Sequence, residues 1–334
     1  MAVKTIGASG RQYSTVTAWI VYLQGIGTLT EDETGEHYGL SDNEETSGFL
    51  LFSSITVGLF TLTLKAADGE SFMDHADADT NPIRYDASKG AGLRINSGSG
   101  PQAIQFTVSA ISLEGMQFKR DVVYSTLLGN SACALTIDNC IIQTANSDCV
   151  KAFSSGSSIK ATNCAFLPKG STRNAIANQD DGATGYVRFC SFLQLTGSTG
   201  TAISEAYAGA GTITVTNCVI FGFSVNIEND TAFNASDYNA TDLSAFDYGT
   251  HNLTSLTAAD QIESTSGTTP DLRAKSTGSL GGAGIAISGI TTDIVGQTRA
   301  DPPYIGCWEV PAVGGSFQAA WARGSNRIIM GGIG

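Results

Sequence analysis

The sequence predicts an all-β solenoid, a parallel β-helix with a short N-terminal capping helix and a C-terminal capping and docking tail. Three observations lead there. Five segments repeat one strand-turn-strand signature: ISLEGMQF from Ile111, LTIDNCII from Leu135, IKATNCAF from Ile159, GYVRFCSF from Gly185 and ITVTNCVI from Ile213. Aligned on Met116, Cys140, Cys164, Cys190 and Cys218, they lie 24, 24, 26 and 28 residues apart, the period of a repeat architecture. Within each repeat, apolar residues alternate with mostly polar ones, as in a strand with one buried face. The composition agrees, because 39 Gly and only 15% charged residues suit a turn-rich all-β chain better than a helical one.

The elements follow in order. Val16, Trp19, Ile20 and Leu23 are spaced i, i+3, i+4, i+7, with Ser14 or Thr15 placed to cap and Gly25 to stop a short amphipathic helix. A solenoid must cover its first rung, and this helix is the expected N-terminal cap within residues 1–48. Strand-like runs then appear at 48–52 and 59–65, and residues 49–240 hold the β-helix. In the repeats, Ile111, Leu135, Ile159, Gly185 and Ile213 form one inward column, and Leu113, Ile137, Ala161, Val187 and Val215 a second. Phe118, Ile142, Phe166, Phe192 and Ile220 form a third, beyond the anchor. Just before the anchor the alternation slips at Gly115, Asn139, Asn163, Phe189 and Asn217. Gly and Asn enter the left-handed conformation at least cost, so this column predicts a one-residue bend, and the Phe189 rung is expected to bend differently. After Phe221 the rungs fade into a loop-rich capping region, 241–310, and a docking tail, 311–334. That tail carries Phe317, Trp321, Ile328, Ile329 and Met330, an apolar strip suited to oligomer or particle docking.

The rung pattern resembles the right-handed parallel β-helix superfamily of pectate lyases and phage tailspikes. GRQYSTVTAW from Gly10, LTLKAADGESFMDH from Leu62 and TNPIRYDASKGAGLRI from Thr80 resemble the opening of phage and prophage β-helix proteins of alphaproteobacterial type. Asp293, Ile294, Gly296, Arg299, Ile305, Gly306 and Glu309 resemble the closing segment of bacterial and phage β-helix repeat proteins, whose expected task is to pack over the last rung. The resemblance implies a structural protein of a tailed-bacteriophage virion, assembled in the bacterial cytoplasm. Such a protein would work as a homotrimer against other capsid or tail proteins, as a capsid decoration protein or head fibre, or as a tail spike or fibre. The alternatives on the same scaffold are a polysaccharide depolymerase, lyase or glycosidase, and an adhesin that binds host surface polysaccharide. Catalysis is the less favoured expectation.

Charge and chemistry narrow this further. A net charge of −13 argues against nucleic acid or an anionic membrane as partner. Nothing at the start reads as a signal peptide, and no stretch of about 18 apolar residues occurs. Four of seven Cys fall in one inward column without CxxC pairing, which predicts reduced, packed thiols and no zinc site. No cofactor is expected, since there is no phosphate loop and no Gly-x-Ser-x-Gly elbow. The best candidate for chemistry is the acidic cluster Asp68, Glu70, Asp74, His75, Asp77 and Asp79, of which Asp74, Asp77 and Asp79 are weak candidates for metal ligation. Asp180 and Asp181 with Lys169 and Arg173, and Glu228 with Asp230, Asp237 and Asp242, are weaker carboxylate groups. His37, His75 and His251 show no ligand spacing and read as surface or loop residues.

Overall fold

From Glu33 to Ile227 each coil of the chain visits three parallel sheets in turn. The first sheet stacks Ala2–Ile6, Glu33–His37, Leu62–Ala66, Ala110–Glu114, Ala134–Asp138, Ser158–Thr162, Thr184–Arg188 and Thr212–Thr216. The second runs through Gly92–Ile95, Gln117–Arg120, Ile141–Thr144, Ala165–Leu167, Ser191–Leu193 and Val219–Phe221, with Glu44–Thr46 and Ala240–Thr241 at its edges. The third stacks Leu50–Phe52, Gln102–Phe106, Ser125–Gly129, Val150–Ala152, Ile176–Asn178, Thr201–Glu205 and Val225–Ile227. This architecture is a parallel β-helix, seen in a computed structural model that describes residues 1–311 apart from 8–9, 40–43, 47–49, 76, 96–101, 122–124, 130–131, 153–155, 171–172, 179–183, 197–199, 206–211, 229–232, 234 and 247. The docking residues Phe317, Trp321, Ile328, Ile329 and Met330 lie outside the described residues.

The aligned columns are the registers of the sheets. Ile111, Leu135, Ile159, Gly185 and Ile213 pair in line, as do Leu113, Ile137, Ala161, Val187 and Val215. On the second sheet Leu93, Phe118, Ile142, Phe166, Phe192 and Ile220 form one ladder, with the Phe166 and Phe192 rings stacked at 4.8 Å. A further ladder on the third sheet joins Leu50, Ile104, Leu127, Val150, Ile176, Ile203 and Ile227. All three meet in one interior cluster. Each fully buried Leu, Ile or Phe contributes roughly 1.5–3 kcal/mol, which makes the ladders the main source of stability. Gly185 occupies an apolar column because a Cβ there would stand 1.9 Å from the Ile159 carbonyl oxygen.

The bend between the first and second sheets is left-handed at Gly115, Asn139, Asn163 and Asn217, as the column predicts. Phe189 departs from expectation in the opposite sense, adopting the same bend at φ 51°. Its ring is fully buried beneath the Arg299 guanidinium, 3.8 Å away, and this packing offsets a backbone cost of about 1–3 kcal/mol. The thiols of the anchor column point inward and donate to carbonyls, Cys140 Sγ to Asp138 O at 3.2 Å and Cys164 Sγ to Thr162 O at 3.1 Å. All seven cysteines are free and buried.

At the N-terminus, Val16–Ile26 is helical and buries Val16, Trp19, Ile20 and Leu23. Thr15 Oγ1 accepts from the Ala18 N–H, and Gly27 rather than Gly25 closes the helix at φ 74°, its N–H bonded to Leu23 O. The Trp19 ring meets Phe52 edge-on at 5.9 Å, sealing the first coil. Residues 2–6 and 33–37 are already strands of the first sheet, so the capping segment supplies rungs as well as the helix.

The closing segment lies elsewhere than expected. Instead of stacking over the last rung, residues 258–310 run along the outer face of the second sheet. Ile294, Ile305, Cys307 and Trp308 pack there against Ala165, Leu167, Leu193, Val219 and Phe221, in a second core that also takes Phe72 and Ile83 from the 67–91 insertion. From Ala165 to Phe221 the second sheet is therefore buried on both faces, which explains its unbroken apolar runs Ala165–Leu167 and Val219–Phe221.

Candidate functional site

The acidic residues picked from the sequence make local contacts. Asp74 Oδ2 accepts from the N–H groups of Gly69 (3.1 Å) and Ser71 (3.2 Å), closing a local turn. Asp77 is exposed, with Lys89 Nζ at 4.0 Å and His75 Nδ1 at 3.9 Å, while Asp79 is half-buried. Among the described residues no group of three His, Cys, Asp or Glu side chains is placed to hold a metal ion. Asp180, Asp181 and Asp230 lie outside the described residues. Asp242 Oδ2 accepts from the Gly222 N–H at 2.9 Å. Asp237 holds His251 Nδ1 at 2.7 Å, and the imidazole stacks on Tyr238 at 4.6 Å. His37 is a correction: it is buried in the first sheet, in register with Ile6 and Ala66.

Ionisable groups from successive rungs line up on the outward face of the first sheet. In register, at about 4.8 Å per rung, stand Glu36, Lys65, Glu114, Asp138, Thr162 and Arg188, beside Thr63, Ser112, Thr136, Lys160, Tyr186 and Thr214. Lys65 Nζ is 3.0 Å from Glu36 Oε1, and Ser112 Oγ donates to Glu114 Oε1 at 2.9 Å. Arg188 lies over the Tyr186 ring at 4.1 Å. Burial pushes the Asp138 carboxyl up, the Thr162 hydroxyl pulls it down, and the neighbouring Glu114 charge pushes it up again. Two stacked carboxyls, with Lys65 in register next to Glu114 and Thr162 next to Asp138, are the materials of an acid–base pair or of a polar ligand surface. The sequence separates Glu114 and Asp138 by a full repeat. They become visible only as the aligned column just before the bend.

A second polar cluster is buried in the closing segment, and the residues carrying its resemblance build it. Asp293 Oδ1 accepts from the N–H groups of Val295 (3.0 Å) and Gln297 (2.8 Å), and its Oδ2 from that of Glu309 (2.9 Å). Gly296 makes the turn at φ 81°. Arg299 Nη1 is 3.2 Å from Glu309 Oε2, and its Nη2 donates to Asn163 Oδ1 at 2.7 Å and to Gly306 O at 3.2 Å. Asn163 Nδ2 in turn donates to Asn139 Oδ1 and to Thr292 O. One rung pair further on, Asn217 exchanges two bonds with the Ile285 backbone. Burial pushes the Asp293 carboxyl up to about 6, against its three N–H donors and Arg299. This arrangement pins the closing segment to the bend column. It leaves no group facing solvent for chemistry.

No family model matches the chain, and no curated protein matches it. Among solved structures, two crystal structures of the pectin methylesterase from Aspergillus niger, both in deglycosylated forms, are similar at 11% and 12% identity and a TM-score of 0.43 each. The similarity covers 75% of this chain and 84% and 85% of those chains.

Proposed function

We propose that this chain is a structural protein of a tailed-bacteriophage virion, a trimeric rod that serves as a capsid decoration protein or head fibre, or as a tail spike or fibre. The observation that supports it is how the chain uses its outer surface. The second sheet is sealed under the closing segment, which a buried ion cluster ties to the Asn163 bend and the Ile285 backbone ties to the Asn217 bend. Such a lock adds stiffness and protease resistance to a stack already bonded rung to rung. The phage-like opening and closing segments supply the particle context. Cryo-electron microscopy of the intact particle tests the reading. Copies at regular lattice positions on the head, or a defined set at the tail, fit the proposal, and absence of the chain from mature particles rejects it.

A second reading is favoured by the Glu114–Asp138 pair: turnover or binding of a host surface polysaccharide on the first sheet. Incubation of purified protein with host polysaccharide separates the two. Product release that Glu114→Gln and Asp138→Asn each abolish would establish an enzyme, and retention without release an adhesin.

A further inference from the structure

Exposed large apolar side chains are concentrated at one end of the described molecule. Val21, Ile26, Leu59 and Phe60 lie there, with Leu59 at 102% and Val21 at 61% exposure, whereas Val225 and Ile285 are scattered beyond. Backbone bonds fix them as a rigid corner of the first coil. Thr56 N–H donates to Gly27 O at 2.7 Å and Leu29 N–H to Thr56 O at 2.9 Å, which places the helix end bearing Ile26 beside the loop bearing Leu59 and Phe60. The rim carries Glu31, exposed and paired with the N-terminal ammonium at 2.9 Å, and Asp32, whose Oδ1 accepts from the Thr61 N–H at 2.9 Å. An apolar corner with an acidic rim, held rigid by its own backbone, is a surface prepared for a partner.

The complementary segment is in the same sequence. Residues 312–334 carry Phe317, Trp321, Ile328, Ile329 and Met330, two cations, Arg323 and Arg327, and no acidic residue, in a chain whose net charge is −13. Fully extended, such a segment reaches about 75 Å. The eight stacked strands of the first sheet span only about 34 Å at 4.8 Å per rung. The tail is therefore long enough to leave its own solenoid and reach the first coil of a neighbour. We infer that the tail of one copy docks on the Ile26–Leu59–Phe60 corner of the next, its apolar anchors on those side chains and Arg323 and Arg327 against Glu31 and Asp32. A head-to-tail contact of this kind closes into a ring when its rotation allows, which gives the trimer its geometry. The inference rests on the oligomeric part of the reading above and names the surfaces that build it.

Sedimentation analysis of three full-fold proteins tests it: the whole chain, a Leu59→Glu/Phe60→Glu variant, and a deletion of residues 317–334. Circular dichroism confirms that each retains its β signature, and the milder Leu59→Ser/Phe60→Ser variant replaces the first should that fold poorly. Both altered proteins are expected to be monomers. Mixed, they are expected to form a one-to-one complex at least about tenfold tighter than either self-association, since one keeps the tail and the other the corner. Loss of assembly on tail deletion alone, with the corner variant assembling normally, overturns the docking site and leaves the trimer standing. A monomeric whole chain overturns both the docking in trans and the trimer.

Discussion

The first and second sheets line the same interior cluster and differ in their outer faces. On the first, Ser112, Thr136, Lys160, Tyr186 and Arg188 alternate with buried residues and meet solvent. On the second, Ala165, Leu167, Leu193, Val219 and Phe221 face out and are covered by the chain's own closing segment. A single repeat thus makes one sheet available for recognition and commits the other to mechanical integrity. The difference lies in one alternate position of each strand, polar in one sheet and apolar in the other.

Four measurements sharpen that contrast. The shared inner face carries the largest effect: Gly185→Val would force a side chain into the Ile159 carbonyl, and denaturant unfolding is expected to show a loss of more than ~4 kcal/mol. Next is the lock on the second sheet. Arg299→Met leaves Glu309 and Asp293 buried without their cation, an expected loss of about 3–4 kcal/mol that an Arg299→Met/Glu309→Leu pair should partly restore. Limited proteolysis should then cut between 280 and 310 in the single variant first. Third, Leu193→Ala on the covered face should cost about 3 kcal/mol, whereas Lys160→Ala on the open face should stay within about 0.5 kcal/mol; equal costs would erase the distinction.

The smallest effect is a pH dependence. Burial raises the folded Asp293 carboxyl to about 6 from 3.8, so the folded state binds the extra proton between those values. Its contribution is therefore greatest below the unfolded value and is lost as pH rises through 6. Acidification from pH 7 to pH 5 should accordingly add about 1 kcal/mol of stability from this group, and Asp293→Asn should flatten that part of the profile.

Most of the solenoid was legible in the sequence because a stacked rung must repeat its own residues. The inward columns, the bend column, the buried thiols and the helix with its Thr15 cap follow from local spacing. The third-sheet ladder from Leu50 to Ile227 was harder to see, since its strands are separated from the anchors by loops of varying length. The left-handed Phe189 and the seat of the closing segment were not legible. Both depend on Arg299 meeting residues more than one hundred positions away, a contact that no local pattern encodes. The candidate site shows the same limit. Asp74 and Asp77 are neighbours in sequence and bind the Gly69 N–H and Lys89 respectively, while Glu114 and Asp138 are distant in sequence and stand side by side.

A stack in which every layer touches only its neighbours can fray from either end, one layer at a time. The closing segment changes that behaviour, because its contacts reach from the Asn163 layer, itself bonded to Asn139, through Ser191 to Asn217. Layers that would otherwise open in sequence are tied to one strap, so unzipping any of them requires releasing all. The coils from Asn163 to Asn217 should therefore melt as a single cooperative block, and exchange their amide protons together.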